Sequence, residues 1–345
     1  MDVALFDYHL PPDRIAQQPI EPREAARLLV LDRASGTIGD KRVGDLPDLL
    51  RKGDLLIFND SKVFKARLKA GDLEIFLLRP DGNEGRWIAL GKPGKRLKAG
   101  ARVVFDDASA EIIEKRSDGT IVLDFKKSPE EVFAVCDRLG EVPVPPYVEP
   151  TEDNTSTYQT AYAKHVGSVA APTAGFHFTP ALMDALEKKG MERAFVTLHV
   201  GLGTFRPIKT DTLEAHEMHE EWAHVPEKTR NAITKAKSEG RRVIVVGTTA
   251  MRALESWARH LPQSLLSEEG PRVVRDWSGF TKLFITPGYE FQVADGLITN
   301  FHLPKSTLIV LVSAFAGRES VLKAYQHAIN HGYRFYSFGD AMLVI

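Results

Sequence analysis

Between residues 71 and 126 the chain changes texture, and that change constrains its fold more than anything else in its 345 residues. Short apolar and β-branched runs at 73–78, 86–90, 102–105, 111–115 and 120–125 follow one another closely. Turn signals separate them: Asp81-Gly82, Lys92-Pro93-Gly94, Asp106-Asp107 and Asp118-Gly119. Short strands punctuated in this way make a small antiparallel barrel or sandwich. Residues 129–139 then read as a helix with Pro129 in its first turn and Gly140 at its end. The proline-rich stretch 142–150 cannot enter a sheet interior and serves as a stiff connector.

The flanks of this segment follow a different rule. Residues 27–32 and 54–58 are apolar runs bounded by turn signals, hence buried strands, with a short helix at 45–50 stopped by Gly53. From residue 151 strand alternates with helix: a helix opened by Thr179-Pro180 and closed by Gly190, a strand at 193–200, a helix at 226–238, a strand at 242–246, a helix at 249–259, a strand at 283–286, and helices at 304–316 and 320–330. The pattern predicts an α/β fold: a discontinuous α/β main domain of residues 1–70 and 150–345, with a small antiparallel β-barrel domain, 71–149, inserted into it.

Several function classes are disfavoured at once. Cys136 is the only cysteine, so neither an internal disulfide nor a thiolate metal cluster is expected, which fits a reducing compartment. The opening MDVALFDYHLPPDR has no basic start and no apolar signal core. The longest apolar stretch, 308–316, is too short to span a bilayer and reads as a core helix. A soluble, cytoplasmic protein is expected. Lys and Arg number 45 against 46 Asp and Glu. A polyanionic partner would therefore have to be met by patches. Two sets qualify, each a solvated loop by default: Lys92, Lys95, Arg96 and Lys98 around Pro93-Gly94, and Lys62, Lys65, Arg67 and Lys69 near the domain junction.

Four motifs have the composition of a site. In His216-Glu217-Met218-His219-Glu220-Glu221-Trp222-Ala223-His224 the histidines are spaced i+3 and i+5, which does not meet the helical zinc-protease pattern, and no metal is expected. The segment His199-Val200-Gly201-Leu202-Gly203-Thr204-Phe205-Arg206 follows a strand and resembles the start of a dinucleotide loop, but lacks its third glycine. Gly201 and Gly203 suit a tight turn or the approach of backbone to a ligand. Gly247-Thr248-Thr249 lies where a buried strand meets a helix, a place that can hold an anion or simply cap the helix. The loop Ala171-Pro172-Thr173-Ala174-Gly175-Phe176-His177-Phe178 precedes a capped helix. Spacing alone leaves a two-domain α/β protein with a crevice and an open reaction.

The literal residues go further. FDYHLPPDRIAQQPIEPREAARLLVLDR, GDLLIFNDSKVFKARL, PVPPYVE, YQTAYAKHVGSVAAPTAGFHFT, LHVGLGTFRPI, EMHEEW, RVIVVGTTAMRALES, FITPGYEFQVADGLITNFHLPKSTLIVLVSAFAGRE and YRFYSFGDAMLVI, in this order, resemble the S-adenosylmethionine:tRNA ribosyltransferase-isomerase family over nearly the whole chain. The resemblance implies an α/β domain with an inserted β-barrel. It also implies a reaction in which the ribosyl group of S-adenosylmethionine, a consumed co-substrate, is transferred to 7-aminomethyl-7-deazaguanine at the tRNA wobble position. Isomerisation then gives epoxyqueuosine, adenine and methionine are released, and neither a metal nor a cofactor is needed. A monomer is expected. The rival readings are an S-adenosylmethionine-dependent RNA methyltransferase and a non-catalytic RNA-binding protein.

That chemistry needs a base near neutral pKa, for which His177, His199, Glu217 and His219 are candidates. A sulfonium calls for aromatic faces or carboxylates: Phe176, Phe178, Phe205 and Tyr289, with Asp60 and Asp295. The methionine carboxylate suits Gly247, Thr248 and Thr249 or Arg252. Thr173, Gly175, Gly201, Gly203, Thr299, Asn300 and His302 are further substrate-binding candidates, as are Lys305 and Ser306 at a helix start. Lys92, Lys95, Arg96, Lys98, Lys62, Lys65 and Arg67 are the tRNA-binding candidates.

Overall fold

The computed structural model describes residues 1–82, 85–201, 203, 207–260 and 276–345. Its centre is a nine-stranded sheet whose spatial order is Trp277–Thr281, Glu221–Val225, Glu192–Leu198, Leu55–Asn59, Val243–Val246, Gly296–Asn300, Ala341–Val344, Arg27–Leu31 and Ile38–Arg42. The middle four strands, from Glu192–Leu198 to Gly296–Asn300, are parallel. Ala341–Val344 runs antiparallel to Gly296–Asn300 and parallel to Arg27–Leu31.

Four of these strands, Leu55–Asn59, Val243–Val246, Gly296–Asn300 and Ala341–Val344, are buried at every residue. The reason is that both faces of the sheet are covered, which lets continuous apolar runs persist in place of alternation. Leu55, Ile57, Val243, Val245 and Leu297 point to one core with helices Glu227–Ser238, Thr248–Ala258, Thr307–Ala316 and Arg318–Asn330. Leu56, Phe58, Ile244, Val246 and Ile298 point the other way, into a core with Leu46 and helix Pro180–Lys188.

The inserted unit is a six-stranded antiparallel sheet in the order Arg67–Ala70, Leu73–Pro80, Arg86–Lys92, Ile121–Asp124, Ala108–Lys115 and Arg102–Phe105. Its outer strands approach each other, so it nearly closes into a barrel. Trp87, 1 % exposed, fills it beside Phe64 and Phe133. Helix Pro129–Leu139 plugs the unit with Val132, Val135 and Cys136. The helix is fixed by a capping box in which Glu131 N–H donates to Ser128 Oγ and Ser128 N–H to Glu131 Oε2. Burial pushes the Cys136 thiol up to about 12, so it packs as a small apolar side chain.

Two sequence expectations are shifted. Strand Arg67–Ala70 pairs with Leu73–Pro80 across the Gly71-Asp72 turn, so the inserted sheet starts ahead of residue 71. The strand expected at 283–286 is extended chain without a ladder; the edge strand is Trp277–Thr281, which pairs with Glu221–Val225. Among the described residues no helix is long and apolar enough to cross a membrane.

Candidate active site

All four parallel strands end on one edge of the sheet, where ligands collect in α/β folds. The chain leaves these ends at His199, Asp60, Gly247 and Phe301. Asn59, the polar end of an otherwise apolar strand, ties this edge together. Its Nδ2 donates to Leu198 O at 3.0 Å and Thr249 Oγ1 at 3.1 Å, and its Oδ1 accepts from Leu198 N and Ser61 N.

A small cavity of about 50 Å³ opens here, lined by Thr173, Val200, Gly247, Thr248, Thr249, Thr299, Asn300, Phe301, His302, Tyr147, Tyr336 and Ser337 among others. Gly247, at φ 90°, turns the chain into helix Thr248–Ala258, whose start has no side-chain cap. The first backbone N–H groups of that helix are thus open to an anion. Thr173 Oγ1 donates to Asn300 Oδ1 at 2.9 Å, and Asn300 Nδ2 lies 3.5 Å from His177 Nε2. His302 Nε2 lies 2.8 Å from Thr299 Oγ1. Burial lowers His302 to about 3 and His177 to about 4, so both rings are neutral at pH 7. The rim is closed by Tyr147 from the proline connector, which hydrogen-bonds Ser337 at 2.8 Å and packs on Tyr336 with ring centroids 4.6 Å apart.

Beside this cavity lies a buried ion pair. Arg252, on the Thr248–Ala258 helix, binds Glu221, and Glu221 Oε1 also accepts from Gly201 N at 2.7 Å. Arg252 Nε donates to Leu283 O. Farther along the same edge, Asp60 accepts from Thr197 Oγ1 at 2.7 Å and stands 3.7 Å from His165 Nε2. Its carboxyl is pushed up by burial. His199 stacks on Trp222 with centroids 5.1 Å apart and is lowered by burial to about 4.

Of the residues expected from sequence, Thr173, Thr248, Thr249, Asn300 and His302 line the cavity, and His177 stands behind Asn300. Others do different work. Gly175 is packed so tightly that a Cβ would lie 1.9 Å from the Tyr162 hydroxyl, and a Cβ on Gly203 would meet the His219 ring at 2.2 Å. Glu217 and His219 are exposed, outside the cavity lining. Ser306 is a helix cap, accepting from Ile309 N and donating to Leu303 O, and Lys305 pairs with Asp7 at 2.7 Å. Asp295 pairs with Lys237 and Val243 N at the opposite edge of the sheet, out of reach of the crevice. Phe176 packs against Phe338 and Tyr158, Phe178 packs against Phe58, and the Tyr289 hydroxyl donates to Glu255. Phe205 lies outside the described residues.

The aromatic residues at the cavity rim are instead Tyr147 and Tyr336, which sequence reasoning missed, while the Phe301 ring packs in the core against Tyr325, Tyr333 and Phe335. Asn59 and Glu221 were missed as well. For Asn59 a signal existed, a lone amide ending the run LLIF.

The basic candidates divide. Lys65 donates to Asp137 O, Arg67 and Lys92 share Glu74, and Arg96 pairs with Asp72; Lys62, Lys95 and Lys98 are exposed.

A family model described as "Queuosine biosynthesis protein" matches residues 3–344. The S-adenosylmethionine:tRNA ribosyltransferase-isomerase of Heliobacterium modesticaldum is 50% identical over the full length of both chains. The crystal structure of an S-adenosylmethionine tRNA ribosyltransferase from Thermotoga maritima is 37% identical, with a TM-score of 0.57 over 99% of this chain and 100% of that one.

Proposed function

This chain belongs to the queuosine biosynthesis protein family, the S-adenosylmethionine:tRNA ribosyltransferase-isomerases, and from that premise we propose how its crevice carries out the reaction. The substrates are S-adenosylmethionine and tRNA bearing 7-aminomethyl-7-deazaguanine at the wobble position, and the enzyme works in the cytoplasm as a monomer.

The observation that carries the reading is the uncapped helix start at Gly247–Thr249, facing Thr173, Asn300 and His302 across one cavity. The methionine carboxylate binds the free N–H groups of that helix, where the helix dipole favours an anion. Arg252 is not needed for this, because Glu221 already matches its charge. The sulfonium lies against the rings of Tyr147 and Tyr336. Thr173, Asn300 and His302 bind the ribose hydroxyls.

The sulfonium acidifies the adjacent ribose carbon. Removal of that proton gives an ylide, and adenine departs with a proton donor's help. The neutral amine of the precursor base then bonds to the ribosyl unit and gives up a proton, and the C–S bond breaks as the epoxide closes, releasing methionine as its neutral thioether. Of the base candidates, His177 and His199 are unprotonated at pH 7 but are made weaker bases by burial; His177, which stands behind Asn300, is the first to test and His199 the second.

Incubation with S-adenosylmethionine and precursor-bearing tRNA tests the reading. Free adenine and methionine in step with tRNA modification support it; S-adenosylhomocysteine, or binding without turnover, overturns it. Replacing His177 and His199 with Gln in turn tests the proton acceptor. If both variants keep wild-type adenine release, the assignment is wrong.

A further inference from the structure

The two outer strands of the main sheet, Trp277–Thr281 and Glu221–Val225, have one face in the core and the other partly open. Leu198 and Ala223 point inward and are fully buried. On the other face a row of rings crosses the strands. Trp222 stands directly opposite Phe280 in the antiparallel register, and His199, whose N–H donates to Trp222 O, stacks on the Trp222 ring at an interplanar angle of 21°. Phe280 is 49% exposed, an unusual state for a phenylalanine in a sheet. Arg79, from the inserted domain, holds its guanidinium 4.9 Å from the Phe280 ring centre while pairing with Glu220.

We propose that Trp222 and Phe280, backed by His199 and with Arg79 over the end of the row, are the platform on which unpaired bases of the tRNA anticodon loop stack. The proposal deepens the tRNA reading above and rests on it. Three features favour single-stranded RNA as the occupant. Aromatic rings on an open sheet face are how proteins hold splayed bases, because every base offers a π face. Cross-strand neighbours stand about 5 Å apart, so consecutive rings can serve consecutive bases. Cations border the row: Arg79 at one end, and at the other exposed Lys164, beside the ribbon whose Gly167 abuts the His199 ring. The row is also continuous with the crevice, since His199 precedes Gly201 by two residues and Trp222 follows the buried Glu221. A base stacked on the Trp222 end of the row thus lies next to the crevice.

Phe280 is the residue to change, because its exposure lets substitutions fold. Phe280→Leu keeps an apolar side chain and removes the π face; Phe280→Tyr keeps the ring. Binding of an anticodon stem-loop carrying the precursor base is measured with the full chain, together with KM for tRNA, KM for S-adenosylmethionine and the melting temperature. Phe280→Leu is expected to weaken stem-loop binding and raise KM for tRNA about tenfold, with KM for S-adenosylmethionine and melting unchanged and Phe280→Tyr within twofold of wild type. Equal binding by the Leu variant and wild type overturns the platform while leaving the reaction standing, provided wild type still releases adenine. A wild type that neither binds the stem-loop nor releases adenine removes both. A wild-type dimer that Phe280→Leu splits would make the face a self-interface and also overturn the proposal.

Discussion

Glu221 and Arg252 form an ion pair with side chains only 4% and 7% exposed, joining the first residue of the strand next to the sheet edge to the helix that opens the crevice. Losing one partner leaves the other charged and buried, at a cost of about 3–5 kcal/mol. Glu221→Gln and Arg252→Met are each expected to lower the urea midpoint strongly. The double variant should recover much of the loss. Chemical denaturation of the four proteins measures the coupling.

The uncapped helix at Thr248 predicts a separation of stability from binding. In Thr248→Asp a fixed carboxylate occupies the anion position. The helix dipole should stabilise the fold by about 0.3–1 kcal/mol, while KM for S-adenosylmethionine rises at least tenfold. A variant that melts higher and still binds the co-substrate normally would place the methionine carboxylate elsewhere.

Three buried histidines set an acid limit. Burial holds His302 at about 3 and His177 and His199 at about 4, against about 6.5 unfolded. Between pH 6.5 and 4 the unfolded chain binds protons that the native chain does not. Their contribution to stability is therefore complete above pH 6.5 and falls as pH drops toward 4, by up to about 1.4 kcal/mol per pH unit for each ring. Urea midpoints at pH 7.5 and 5.5 measure the slope, and His302→Asn should flatten it.

Gly175 and Tyr162 predict a size-matched rescue. Gly175→Ala drives a methyl into the Tyr162 hydroxyl and should cost about 1–3 kcal/mol. Tyr162→Phe removes the atom in the way. Melting of Gly175→Ala with and without Tyr162→Phe should show partial recovery in the pair.

For the exposed lysines, triple replacement of Lys62, Lys95 and Lys98 by Ala should reduce the slope of log affinity against log salt by about 2–3 units. Turnover at saturating tRNA should be unchanged. A filter-binding salt series is sufficient.

Where function was legible in the sequence, the signal was local. The helix at 129–139 announces itself by Ser128-Pro129 and Gly140, and the Gly247–Thr249 turn by a buried strand running into a helix. What escaped depends on the third dimension. Asp295 sits in the most diagnostic stretch of the sequence, yet strand direction puts it at the wrong edge of the sheet, two residues before the first Cα partner of Val245 and far from Asn300. Tyr147 and Tyr336 are nearly two hundred positions apart and become neighbours only because the connector folds back over the C-terminal segment. The apolar environments that lower His177 and His302 come from several elements at once, so no short window reveals them.

Strand Ala341–Val344 lies between Gly296–Asn300 and the hairpin Arg27–Arg42, and it fixes an order of assembly during translation. Among the described residues, the one strand that links the hairpin to the rest of the main sheet is made after the other strands. Until then Leu28 and Leu29 have no permanent cover, and the crevice lacks Tyr336 and Ser337. Cutting away this one strand would divide the sheet in two.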